Sequence, residues 1–257
     1  MRVEVDPAIF FTYRAKDIQT RFSESPICVE VSEDPKEAFE KLSEKSFDQA
    51  PVLERGTIIG WILTKDLANA SSVAEVTKYL KQTHLISSEA SLNDLLQKLV
   101  NQELIFLVGT DGIEGFAVRS DIERHVSRAH LYLLISGIEI VMARIVTRDL
   151  KDVDGLLSQM NPESRRYWEF ARDKNEDANV VEYMGLRDLG LGISKIQPAL
   201  NHLGIKAEAW MKYIHELTVI RNWVAHSNTQ EMHDHPFFDV VKKMNMTEEF
   251  IKKLIRF

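Results

Sequence analysis

Near the C-terminal end of this 257-residue chain, the string Arg221-Asn222-Trp223-Val224-Ala225-His226 sets an imidazole five positions after a guanidinium. An amide stands beside the guanidinium. These groups suit cleavage of RNA without a metal. RNA carries its own nucleophile, the 2′-hydroxyl, so the protein need not supply one. A histidine that titrates near neutrality can relay protons, and a guanidinium can stabilise the extra charge of a phosphorane. Arg221, Asn222 and His226 are therefore the candidate catalytic residues, and a 2′,3′-cyclic phosphate is the expected product end.

The element that positions them is a helix over ~206–227. At about 100° per residue, Trp210, Tyr213, Ile214, Leu217, Ile220 and Val224 share one broad apolar face. Arg221 projects within that arc, where a cation needs a partner or an interface. His215, Asn222 and His226 fall on another side. An ideal helix separates Arg221 from His226 by about 140°. A compact site then requires either a distorted helix end or two copies meeting across a dimer interface. The structural alternative pairs Arg221 with an acidic residue such as Glu139, and lets His226 hydrogen-bond near the helix C-terminus, where a cation is favoured.

The Arg-Asn-x-x-x-His string at the end of such a helix resembles HEPN domains, over roughly residues 130–245. The resemblance implies an all-helical module that dimerises through this helix. It implies a metal-independent endoribonuclease, as many members are, or a noncatalytic binding or dimerisation module, as some are. It places Arg221, Asn222 and His226 on the family motif.

The first half has a different grammar. A strand near Pro26–Val31, a helix capped by Ser32 or Asp34 with Pro35 in its first turn, and strands at 50–53 and 58–63 lead to a helix from Lys65. The order then repeats: a strand at 83–86, a helix with Leu92, Leu95, Leu96 and Leu99 on its apolar face, strands at 103–108 and 115–118, and a helix opened by Asp121. The period is about 55 residues, because Gly60 aligns with Gly115 and Asp66 with Asp121.

Ala50-Pro51-Val52, the turn at Gly56, and the Gly60–Asp66 and Gly115–Asp121 segments resemble a tandem pair of CBS domains, a Bateman module, over residues ~10–128. The resemblance implies an adenine-type nucleotide in the cleft between repeats, its ribose held by Asp66 or Asp121. The family's hydroxyl three residues after the glycine is missing. Leu63 and Val118 stand there instead, and Thr64 comes one residue late. A helix N-cap is the purely structural role for either aspartate.

Composition narrows the rest. The net charge of −7 disfavours a broad nucleic-acid surface. A lone cysteine, Cys28, permits no disulfide framework and suits a reducing compartment. The N-terminus shows no secretory pattern. The apolar stretch Leu131–Val146 is interrupted by Glu139 and Arg144, and is shorter than the ~20 residues of a spanning helix, so it reads as a buried helix. The expected location is the cytoplasm, with no membrane partner. His233-Asp234-His235 reads as a solvated turn, and no metal site is expected. Arg165-Arg166-Tyr167-Trp168 mixes cations with aromatics, as single-stranded nucleic-acid surfaces do, although core aromatics beside surface arginines are the commoner cause.

The expected architecture is an α+β tandem CBS pair over residues 1–128 followed by an all-α HEPN-like bundle over 129–257. No Gly or Pro interrupts residues 121–136, so the last helix of the second repeat is expected to run straight into the bundle. The expected function is a nucleotide-regulated endoribonuclease acting as a homodimer, in the manner of a toxin or defence effector. No cofactor is required, and an adenine nucleotide or nucleotide second messenger serves as regulatory ligand. The alternative is a noncatalytic nucleotide-sensing dimer that uses its helical domain to bind another protein.

Overall fold

A computed structural model describes residues 13–174, 179–225 and 237–257. They divide into two compact units, which meet in sequence at Ser127 and Arg128.

The N-terminal unit repeats one plan twice. In the first repeat, β2 (Val29–Glu30) leads to α1 (Pro35–Ser43), β3 (Gln49–Glu54), β4 (Thr57–Leu63) and α2 (Thr64–Leu67). In the second, β6 (Leu85–Ser87) leads to α4 (Leu92–Asn101), β7 (Leu104–Gly109), β8 (Gly112–Val118) and a 3-10 turn at Arg119–Glu123. The helix starts follow from capping chemistry. The Asp34 carboxylate accepts from the Lys36 and Glu37 amides with Pro35 at the first helical position, and the Ser91 hydroxyl accepts from the Asp94 amide. Leu92, Leu95, Leu96 and Leu99 are fully buried, as their spacing predicts.

The two repeats exchange their lead-in segments. β1 (Thr20–Arg21), which precedes the first repeat, adds antiparallel to β8 of the second. β5 (Lys78–Tyr79), which precedes the second, adds antiparallel to β4 of the first. The sheets therefore run β2-β3-β4-β5 and β6-β7-β8-β1. The aligned glycines have their reason here. A Cβ on Gly60 would lie 2.4 Å from the Lys78 carbonyl oxygen, and one on Gly115 would lie 2.6 Å from that of Thr20. Only glycine lets the exchanged strand pass this close.

Each sheet has two buried faces. On one side of the first sheet, Val29, Ala50, Val52 and Ile62 pack with Ala38 and Leu42 of α1, Leu67 of α2 and Val73 of α3 (Val73–Val76). On the other, Trp61 and Leu63 meet Leu104 and Phe106 of the second sheet. Strand alternation sends Ile62 one way and its neighbours Trp61 and Leu63 the other.

Several expected elements shrink. The strand expected over Pro26–Val31 pairs only at Val29–Glu30, and the one expected from Thr83 begins at Leu85, after a 3-10 turn at Gln82–His84. The helix expected from Asp121 is a 3-10 turn instead. Arg124 is extended (ψ 147°), so the second repeat does not run straight into a helix. The chain becomes helical again at His125 and stays so to Asp149, forming α5.

The C-terminal unit is all-helical among its described residues. After α5 come α6 (Val153–Leu157), α7 (Pro162–Asp173), a 3-10 turn at Val180–Tyr183, α8 (Leu186–Ser194), α9 (Gln197–Leu203), α10 (Ala207–Ala225) and α11 (Phe237–Arg256). α11 is a single continuous helix of 20 residues. Its centre is anchored by Thr247, whose hydroxyl donates to the Lys243 carbonyl and lies 2.7 Å from the Tyr213 phenol oxygen. Trp210, Tyr213 and Phe250 form an aromatic cluster with ring centroids 5.0–5.6 Å apart. α8 packs through glycine: a Cβ on Gly190 would strike Ile214 of α10, and one on Gly192 would strike Val146 of α5. By length and composition α5 could cross a membrane. In this fold Leu131, Leu134, Ile135, Ile138, Met142 and Val146 of α5 are buried in protein.

Candidate functional site

The two aspartates six residues after the aligned glycines stand in different surroundings. Asp121 is buried, and both its oxygens are engaged. Oδ2 accepts from the Val118 amide at 2.7 Å, and Oδ1 lies 2.6 Å from Nε of Arg124. Burial pushes its carboxyl up from the usual range, while the Val118 N–H and the Arg124 charge oppose that rise. Arg124 is itself fixed to the lead-in segment, donating to the Gln19 carbonyl and the Thr20 hydroxyl. The Ser127 hydroxyl donates to the Asp121 carbonyl at 2.8 Å. Asp66, at the matching place in the first repeat, is only half-buried, and no hydrogen bond or ion pair engages its carboxylate among the described residues.

A groove of about 650 Å³ opens where the repeats meet. Its lining includes three pairs of matching positions, Asp48 with Glu103, Thr64 with Arg119 and Lys65 with Ser120, so it straddles the relation between the repeats. Leu63, Thr64 and Lys65, the residues leading into Asp66, lie along it. Thr64 does not offer its hydroxyl outward. It donates to the Phe47 carbonyl. At the family's hydroxyl position, Leu63 and Val118 fill the seam between the two sheets beside Leu104 and Phe106. The missing hydroxyls are thus replaced by core. Arg119 donates to the Leu99 and Val100 carbonyls at the end of α4, so its charge is held in place beside the groove.

In the helical unit, Arg221 and Asn222 lie in the last turn of α10 and are both exposed. The helical wheel placed Arg221 within the apolar arc. The described chain instead continues the buried stripe Trp210, Tyr213, Ile214, Leu217, Ile220 through Trp223. His226 lies outside the described residues, as does His233-Asp234-His235. His215 is exposed on a groove between α10 and α11. The expected relation of Arg221 to Glu139 is present as a charge interaction. Burial pushes the Glu139 carboxyl up, while the Arg221 charge and a hydrogen bond from the Leu186 N–H oppose the rise. That carboxylate meets the N-terminus of α8, whose own cap residue, Gly185, has no side chain to offer.

Sequence reasoning missed Arg124 and Arg128. Arg128 Nη2 donates to the Trp223 and Val224 carbonyls of α10 at 3.0 and 3.2 Å. The signal for Arg124 was its spacing of three from Asp121, which the first repeat lacks because Asn69 stands at the matching position. Arg128 gave no such signal, since its partners are distant backbone carbonyls.

Residues 15–73 match the model of the CBS domain family, and residues 85–123 repeat the same order of elements with the same bulge and the same glycine approach. The N-terminal half is a tandem CBS module. Over 125 residues, 49% of its length, the chain is 26% identical to a zinc metalloprotease of Methanocaldococcus jannaschii, and it spans 35% of that protein. Similar solved structures include the CBS-pair protein CBSX2 from Arabidopsis thaliana (18% identity, 46% of this chain and 96% of that one, TM-score 0.40). They also include CBSX2 in complex with AMP (19%, 46% and 98%, TM-score 0.40). A third is the CBS domain of the bacterial CNNM/CorC family Mg2+ transporter in complex with ATP (17%, 45% and 87%, TM-score 0.39).

Proposed function

We propose that this chain is a nucleotide-sensing regulatory protein, its CBS pair taking an adenine nucleotide and its helical unit serving as the platform for a partner protein or a second copy. The observation that carries the reading is the groove where the repeats meet. It runs along the residues leading into an unengaged Asp66, with Lys65 and Arg119 to attract phosphate. The half-buried Cys28 and the absence of a second thiol suit a reducing cytoplasm. The test is thermal unfolding of the whole chain with millimolar AMP or ATP. A ligand at a hundred times its Kd adds about 2.7 kcal/mol to the native state. No shift with either nucleotide overturns the reading.

A second reading keeps the helical unit as a HEPN-like, metal-independent endoribonuclease, a toxin or defence effector acting as a homodimer through Arg221, Asn222 and His226. It is supported by the exposure of Arg221 and Asn222 at the end of α10. It predicts 2′,3′-cyclic phosphate ends from RNA incubated with the protein, and their loss in His226→Ala. Cleavage at wild-type level in that variant sinks it.

A further inference from the structure

The two repeats are not equivalent as ligand sites, and the difference lies in one side chain. Both present an aspartate six residues after the close-approach glycine. A ribose held there needs carboxylate oxygens able to accept from its hydroxyls. At Asp121 those oxygens are taken by the Val118 amide and the Arg124 guanidinium, and the group is buried. Arg124 is held on its other side by Gln19 and Thr20. A nucleotide would have to displace a charge-assisted pair that is anchored at three points. The first repeat has Asn69 where the second has Arg124. Asn69 is exposed, and nothing engages the Asp66 carboxylate among the described residues.

We propose that Arg124 acts as an internal ligand that fills the second site permanently, so that the chain binds a single nucleotide, through Asp66. This rests on the nucleotide-sensing reading and sharpens it to one site. The second repeat then serves as an anchor. Asp121 holds Arg124 through its carboxylate and Ser127 through its carbonyl, and Ser127 lies within the first turn of α5. The aspartate that a ligand would occupy instead fixes the start of the helix that continues into the next unit's sequence.

The experiment is calorimetric titration of the full chain with ATP and with AMP. The expected result is one nucleotide per chain. Asp66→Asn weakens binding at least about tenfold, the loss of one charge-assisted hydrogen bond. Asp66 is half-buried and unpaired, so this variant keeps the fold, which circular dichroism checks. Arg124→Ala frees Asp121 and raises the stoichiometry to two. Two nucleotides on the wild-type chain, undiminished binding in Asp66→Asn, or a stoichiometry that stays at one in Arg124→Ala each overturn the proposal while leaving nucleotide sensing intact. An absence of any binding to the wild type overturns both.

Discussion

The Arg128 guanidinium lies over the Trp223 indole, 5.4 Å from its ring centroid, and donates to the carbonyl of the same residue at 3.0 Å. Arg128 thus ties the start of α5 to two carbonyls of α10, those of Trp223 and Val224. The last turn of α10, which presents Arg221 and Asn222, is therefore held by a side chain near the start of α5. Arg128→Ala is expected to lower stability by about 1–3 kcal/mol in chemical denaturation. It is also expected to speed amide exchange over residues 221–225. Arg128→Lys restores the charge but not the planar guanidinium that lies over the Trp223 indole, and should recover only part of the loss. Unchanged exchange in Arg128→Ala would show that the turn holds without it.

The repeat was legible because its signals are local: glycine, aspartate and the leucine spacing of α4 recur at a fixed interval. The exchange of lead-in strands was not, because β1 and β5 have two residues each, too few for any alternation to register. Its trace was the glycine pair, readable as a position but not as a reason until the Lys78 and Thr20 carbonyls are in place. The candidate sites divide the same way. Asp66 and Asp121 were found by spacing, yet what separates them is a guanidinium locked on a distant strand, which no period encodes. Arg221 was placed in the apolar arc by an ideal wheel, but the stripe's edge at the helix end is decided by Trp223, whose indole packs under Arg128.

The glycine approach makes Gly60→Ala a sharp test of the strand exchange. The new methyl would meet backbone on β5, the Lys78 carbonyl oxygen at 2.4 Å and the Tyr79 Cα at 3.0 Å, so the strand must move. A loss of about 1–3 kcal/mol is expected, the range for overpacking a well-filled contact. In Gly115→Ala one of the two nearest atoms is Oε1 of the Gln19 side chain, which can turn away. That variant should cost less. Equal tolerance of both would mean that the exchanged strands do not lie this close.

His130 gives the helical unit a pH dependence. It is buried, and desolvation pushes its pKa from 6.5 down to about 4. The unfolded chain takes up the proton near pH 6.5, whereas the folded chain resists until about 4. Stability present above the unfolded value is thus lost as pH falls through this window, with a slope of at most about 1.4 kcal/mol per pH unit from this group. Denaturation midpoints from pH 7 to 4.5 should fall less steeply in His130→Gln than in the wild type. Parallel curves would assign the acid sensitivity to other groups.

Glu139 has the opposite sign. Its carboxyl is raised by burial, against the opposing pull of Arg221 and the Leu186 N–H. The folded state therefore holds the proton more tightly than the unfolded chain, and the stability linked to this group is lost as pH rises through the raised value. Glu139→Gln keeps an acceptor for the Leu186 amide and removes the half-buried charge. It should match or exceed the wild-type melting temperature at pH 7, with the gain fading as pH falls through the raised value and gone below the ordinary carboxylate range. Glu139→Ala removes the acceptor from a helix whose Gly185 cap has none, and should cost about 0.5–2 kcal/mol, the usual price of a lost N-cap. If glutamine destabilises as much as alanine does, the ionised carboxylate and its attraction to Arg221 matter more to α8 and α10 than the desolvation they oppose.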